Sequence, residues 1–320
     1  MSFVDLITIA AWVAVILFVG ASWFGISLLY RRAGERGERK RAERAVVKEF
    51  KNGAHTVTFQ WGPDAISQDP TGWLLVASGH HAVAASQPLD VFGYPGPGEG
   101  ARILAESWDV HSRTDLVAQI LSLLTSGHRA SFDAERAHWL SLDQAGQRQL
   151  RKVLARAAMT SPTAREEYLR FERIRTDAQG ARSIDFLAWD LDRVILLARA
   201  GVGAGYLSEP EGRDLALAAA AGLRSRYRGW DELNASFTRG RWYWRSMDGV
   251  EEASAAEHDR QFTRAAAPMW NLVPWEAALP APTFVVLDGL PPQLVAFLAE
   301  QHLDQPWQAG LRSAVQARLT

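Results

Sequence analysis

The sequence contains no cysteine, which excludes disulfide staples, thiolate zinc sites and cysteine nucleophiles. It has no H-E-x-x-H pair, and its adjacent histidines, His80 and His81, point away from each other on either a helix or a strand. A phosphate loop is missing as well. Gly93-Tyr94-Pro95-Gly96-Pro97-Gly98 lacks the terminal lysine–hydroxyl pair, and the glycines at 201, 203 and 205 follow a helical pattern rather than a strand. There is no G-x-S-x-G elbow for a serine nucleophile. These absences lead to the expectation of no cofactor and no metal. Positive charge is not in excess either: 35 Lys and Arg stand against 36 Asp and Glu, which argues against a general nucleic-acid binder.

What charge there is lies unevenly. Leu6–Tyr30 carries no charged residue. As a helix it would reach ~37 Å, enough to cross a hydrocarbon core of ~30 Å with some tilt. Trp23 and Tyr30 sit toward one end, where amphipathic rings favour the interface. A cleavable signal peptide would want a basic start and a shorter apolar core. Here the start is acidic, with Asp5 alone before the span, while Arg31, Arg32, Arg36, Arg39, Lys40, Arg41 and Arg44 follow it. The positive-inside bias then predicts a single-pass protein of the cell inner membrane with its C-terminal part in the cytoplasm. The basic run can also meet anionic headgroups. Ala21 and Gly25 form one small-xxx-small pair, which leaves the oligomeric state open.

Four segments are expected. Residues 1–30 form the anchor, 31–50 a basic juxtamembrane helix, 51–280 a mostly helical cytoplasmic domain and 281–320 a strand–helix addition. The fold class is mainly α with a few short strands. His55–Trp61 alternates and is rich in β-branched and aromatic residues, and Thr283–Leu287 reads TFVVL; both suggest strands. Ser112 and Asp115 have capping-box spacing ahead of Leu116, Ile120, Leu123 and Leu124, with Gly127 as a stop. Ala134–Met159, Thr163–Ala178 and Gly249–Arg264 read as further helices, as do Pro291–His302 and Trp307–Leu319.

The centre of the chain is Ser183–Trp244, read as three helices. Ile184, Leu187, Leu191, Val194, Ile195 and Ala198 share one face of the first. Glycine-rich residues 201–205 end it, since glycine takes left-handed conformations freely. Ser208-Glu209-Pro210-Glu211 starts the second with an N-cap, an acid three residues on and proline in the first turn. Its alanine-rich middle admits a close neighbour. Trp230-Asp231-Glu232 opens the third, which runs into Arg241-Trp242-Tyr243-Trp244.

Several blocks occur here in a set order: Trp108-Asp109, Ser126-Gly127-His128-Arg129, Ala188-Trp189-Asp190-Leu191 with Arg193, Leu197-Ala198-Arg199, Ala204-Gly205-Tyr206-Leu207-Ser208-Glu209, Gly229-Trp230-Asp231-Glu232, and Gly240-Arg241 with Trp244. In that order they resemble the bacterial family catalogued as domain of unknown function 1266. Trp270 and Val273-Pro274-Trp275-Glu276 resemble its closing segment, with Glu276 where the family pattern has Asp. Ala200 and Val202 depart from the pattern, being smaller than the residues expected there. The resemblance covers about Gly72 to Leu279 and implies a mainly helical fold. It implies no activity.

A polar set remains. The catalytic candidates are His128, Asp190 and Arg193, and the binding candidates are Asp109, Arg129, Arg199, Tyr206, Asp231 and Arg241. One reading is a cleft with His128 as acid–base and arginines on an anionic group. The other is a set of helix caps and partly buried ion pairs, because Asp and Arg are seldom buried unpaired. The second is favoured, and Trp242 and Trp244 read as core. The expected role is binding or scaffolding of a protein partner at the membrane, with an enzyme or anionic-ligand domain as the alternative.

Overall fold

Buried on almost every side, the helix Leu187–Gly203 is the axis of the fold in the computed structural model of the chain. The structure describes residues 57–244 and 270–319, apart from residues 86, 95, 97 and 302. The expected anchor, the juxtamembrane helix and the Gly249–Arg264 helix lie outside the described residues.

In chain order the helices are α1 (Pro63–Gln68), α2 (Gly72–Ala77), α3 (Gly79–Ala85), α4 (Glu99–Trp108), α5 (Arg113–Thr125), α6 (Gly127–Ser141) and α7 (Gln144–Ala157). There follow α8 (Pro162–Thr176), α9 (Leu187–Gly203), α10 (Glu209–Arg226), α11 (Trp230–Trp244), α12 (Pro292–Ala299) and α13 (Ala309–Gln316), with short 3-10 turns between some of them. The chain is mainly helical. α9 packs against α2, α4, α5, α6, α10 and α11. A helix with apolar residues around most of its circumference has to be enclosed in this way.

Small residues set how closely the neighbours approach. α10 buries Ala216, Ala218, Ala219, Ala220 and Gly222. A methyl group at Gly222 would lie 2.4 Å from Leu191 of α9 and 3.1 Å from the Trp307 ring. At the other end of α9, a methyl at Gly100 would stand 2.4 Å from the Ala200 carbonyl oxygen. Backbone cannot yield there as a side chain can.

Tryptophans close the opposite side. Trp73, Trp230 and Trp275 form a triangle with ring centroids 4.9 to 5.2 Å apart. The indole of Trp73 donates to the Trp275 carbonyl and that of Trp230 to the Val273 carbonyl. Burial therefore leaves neither N–H unpaired. Trp242 is buried under the Arg173 guanidinium, 4.0 Å from its centroid. The C-terminal residues Val286, Leu287, Val295, Leu298, Leu311 and Val315 join the same hydrophobic cluster.

Three expectations are corrected. Among the described residues there is no strand, only an isolated bridge between Thr58 and Pro88. In the first expected strand, the Asp90 carboxylate collects the backbone N–H groups of Gln60, Trp61 and Gly62, which turns the chain out of an extended course. At Thr283–Leu287, Phe284 has φ +57° and Val285–Gly289 is a 3-10 turn. Here Asp214 takes the N–H groups of Thr283 and Val285. The expected helix Ala134–Met159 is two helices. It breaks before Asp143, whose carboxylate caps α7 by accepting from the Gly146 N–H at 2.7 Å.

The Gly100→Ala substitution is expected to destabilise the domain by about 1–3 kcal/mol through overpacking. Urea denaturation would read this as a lowered midpoint with an unchanged slope.

Candidate functional site

Two helices meet at Gly127 with almost no linker. Helix α5 ends at Thr125 and α6 begins at Gly127, whose φ is +57°. The last carbonyls of α5 and the first N–H groups of α6 therefore face one another beneath the surface, each without intrahelical partners. One acid and one base answer both needs. Asp190, fully buried in the first turn of α9, accepts at Oδ1 from the His128 N–H at 3.0 Å and from His128 Nδ1 at 2.8 Å. Its Oδ2 accepts from the Arg129 N–H at 3.1 Å and from Arg129 Nη1 at 3.0 Å. Arg129 in turn donates to the carbonyls of Leu123, Leu124 and Thr125 at 2.8 to 2.9 Å.

The charges match the helix ends. The carboxylate stands at the positive N-terminus of α6 and the guanidinium at the negative C-terminus of α5. Gly127 is required twice, for its positive φ and because a Cβ would sit 2.1 Å from Asp190 Oδ2. The His128 ring lies edge-on to Trp244 at 4.2 Å and is about a quarter exposed. Among the described residues no hydroxyl is hydrogen-bonded to it. An Asp-held imidazole is a familiar part of acid–base sites, but Asp190 already has four donors.

The other candidates do not join this group. The Arg193 guanidinium stands 3.1 Å over the centroid of Trp189 and 5.9 Å from that of Trp108, a cation–π arrangement rather than a pair with Asp190. Arg199 is buried and donates to Ser78 Oγ and to the carbonyls of Pro88 and Val91, so it ties the 88–91 loop to α9 instead of serving the helix terminus. Burial pulls its pKa below the usual arginine value. Tyr206 donates to the His111 carbonyl. Asp109, almost fully exposed, meets His111 Nε2 at 2.9 Å. Asp231 is exposed in the first turn of α11, and Arg241 is half-buried in the last. Convergence is limited to His128, Arg129 and Asp190.

Sequence reasoning missed three groups. Arg113 binds Glu211 through two nitrogens at 3.1 and 2.6 Å, and donates to the Tyr206 carbonyl as well. Asp185 accepts from Arg226 Nε, the Tyr227 hydroxyl and the Leu187 N–H. Buried Asp192 lies 2.7 Å from His81 Nε2, while His80 Nε2 meets Asn234 Oδ1 at 2.6 Å. The two histidines do diverge, each to its own partner. The one available signal was the pair Asp190 and Asp192 inside a helix of mostly apolar residues.

A cleft of about 530 Å³ adjoins the α5–α6 joint, lined in part by Ser126, Arg129, Asp133, Asp185, Arg226 and Trp307. Four of the charged residues in its walls are paired off: Arg129 with Asp190, Arg226 with Asp185 and Asp133 with Arg136. Among the described residues no group of three His, Cys, Asp or Glu could hold a metal ion. The family model described as "Protein of unknown function (DUF1266)" matches residues 103–275. No curated protein and no solved structure matches the chain.

Asp190→Asn is expected to cost about 3–5 kcal/mol, because it strands the Arg129 charge and swaps an acceptor for a donor. His128→Ala should cost only about 0.5–1.5 kcal/mol, one partly exposed hydrogen bond. Equal losses in denaturant titrations would contradict the assignment of the clip to Asp190 and Arg129.

The Arg113 hydrogen bonds hold the Glu211 pKa down at about 2, despite some opposing burial. A depressed carboxylate pKa means the unfolded chain takes up the proton first. Its stabilisation is therefore complete above the ordinary glutamate pKa of about 4.3 and is lost as pH falls toward 2. Arg113→Gln should flatten that part of the stability-versus-pH curve, measured by thermal melts across the acid range.

Proposed function

The chain belongs to the DUF1266 family, whose model spans just over half of it, and on that premise we propose that it is a membrane-anchored cytoplasmic binding or scaffolding protein. The anchor is Leu6–Tyr30, and the basic residues after it keep the domain on the cytoplasmic side of the cell inner membrane. The domain presents a surface to a protein partner there, with no nucleic acid involved.

The observation that carries this reading is the saturation of Asp190. Four donors occupy a fully buried carboxylate, so the residues that looked most like an acid–base site are committed to joining α5, α6 and α9. A catalytic carboxylate needs a free lone pair or a proton to exchange. Arg193 and Arg199 are likewise engaged by aromatic faces and loop carbonyls. A second reading, an enzyme or anionic-ligand domain, draws on the His128–Asp190 hydrogen bond and the neighbouring cleft.

Deleting residues 1–30 is expected to move the protein from the membrane to the soluble fraction with the domain still folded. Fractionation that leaves the truncated chain in membranes contradicts the anchor. Cleavage of the domain by protease added from the periplasmic side contradicts its orientation.

A further inference from the structure

Helix α7 is the most one-sidedly charged element among the described residues. It holds Arg148, Arg151, Lys152 and Arg156 and no acid. Arg151 is tied to Glu172 of α8 at 3.0 Å. Arg148, Lys152 and Arg156 are exposed and, among the described residues, meet no carboxylate at ion-pair distance. Spaced four residues apart, they form one line of ~12 Å along the outer face. The opposite face buries Leu154, with Leu150 packed beside it, and α7 rests mainly on α8.

Exposed apolar side chains lie on the helix and just beyond each of its ends. Val153 is 53% exposed beside Lys152, Leu140 is 41% exposed just before the helix, and Met159 is 56% exposed just after it. A face combining unpaired basic heads with apolar side chains suits the boundary between headgroups and acyl chains, where long basic side chains reach the phosphates.

We propose that α7 docks on the anionic cytoplasmic leaflet, so that the domain lies against the membrane in one orientation. The proposal rests on the anchor reading, since the tether supplies the local membrane concentration, and α7 carries charge of the same sign as the basic residues after the span. The position of a partner is then set by lipid charge.

The absence of cysteine allows a single label. The full-length chain carrying Val153→Cys and a nitroxide is reconstituted into vesicles of phosphatidylglycerol with phosphatidylcholine, or of phosphatidylcholine alone. Arg228→Cys, at a residue whose side chain is 93% exposed, is the control position. Each basic side chain near an anionic surface multiplies occupancy about fivefold. Loss of three, in Arg148→Gln/Lys152→Gln/Arg156→Gln, should lower the docked-to-free ratio about a hundredfold.

The expected result is that the Val153 label collides with oxygen more than with a water-soluble nickel chelate in anionic vesicles alone, and that the triple variant abolishes the difference. Equal chelate access in both lipids overturns docking, as does a triple variant that behaves like the parent. A label shielded only after an acidic protein is added assigns the face to a protein partner instead and also overturns the proposal. Carbonate-resistant flotation reads the anchor separately. A chain that floats with both lipids while Val153 stays in water loses the docking and keeps the anchor, and one that floats with neither loses both.

Discussion

Removing a carboxylate from water costs several kcal/mol unless its lone pairs are filled, and Asp190 is the place where this chain accepts that cost. Its four donors come from one dipeptide, His128-Arg129, and Arg129 spends its remaining capacity on the carbonyls that end α5. Two helix ends that would each leave polar groups bare are thereby satisfied by one ion pair. The tight joint at Gly127 can exist only because of it. Since Asp190 stands on α9, the joint is also fixed to the central helix, against which α5 and α6 both pack. Geometry at this point propagates to the rest of the core.

The same device recurs with weaker charge compensation. Asp90 and Asp214 each gather backbone N–H groups from a distant stretch, residues 60–62 and residues 283 and 285, while Asp185 takes the nearby Leu187 N–H together with the Arg226 and Tyr227 side chains. Short connections between helices leave many such groups bare, and acids satisfy them more strongly than neutral acceptors do. The polar residues inside this protein thus act as fasteners. Asp192 differs, since neither of its carboxylate oxygens receives an aligned hydrogen bond among the described residues, although His81 lies 2.7 Å away. It is the buried acid with chemical capacity left over.

The outer faces carry charge of a different kind, held in water. α7 is the plainest case, with a row of basic side chains facing out and only a narrow apolar strip facing in. The C-terminal residues matter in another respect. Gln308, buried, donates to the Leu124 and Thr125 carbonyls, the same helix end that Arg129 serves, and Trp307 covers Gly222. They complete the polar accounts of α5 and the packing of α10, and form one wall of the cleft.

Local signals settled a good deal before any tertiary contact was known. Periodicity marked α9 to α11, and the Ser208–Glu211 capping box is formed as its spacing requires, because caps depend on three or four neighbouring residues. Ser112 caps α5 as expected, with the Asp115 side chain reaching back to His111. Partners far apart in sequence could not be read in this way. Trp-Asp-Leu-Asp-Arg at 189–193 looks the same whether Asp190 pairs with Arg193 three residues on or with Arg129 some sixty residues back, and only packing decided for Arg129. Strand-like composition at 57–61 and 283–287 was overruled by Asp90 and Asp214, acids brought in from elsewhere to take the N–H groups a sheet would have used. Short-range hydrogen bonding and periodicity are properties of the chain; the destination of a buried charge is a property of the fold.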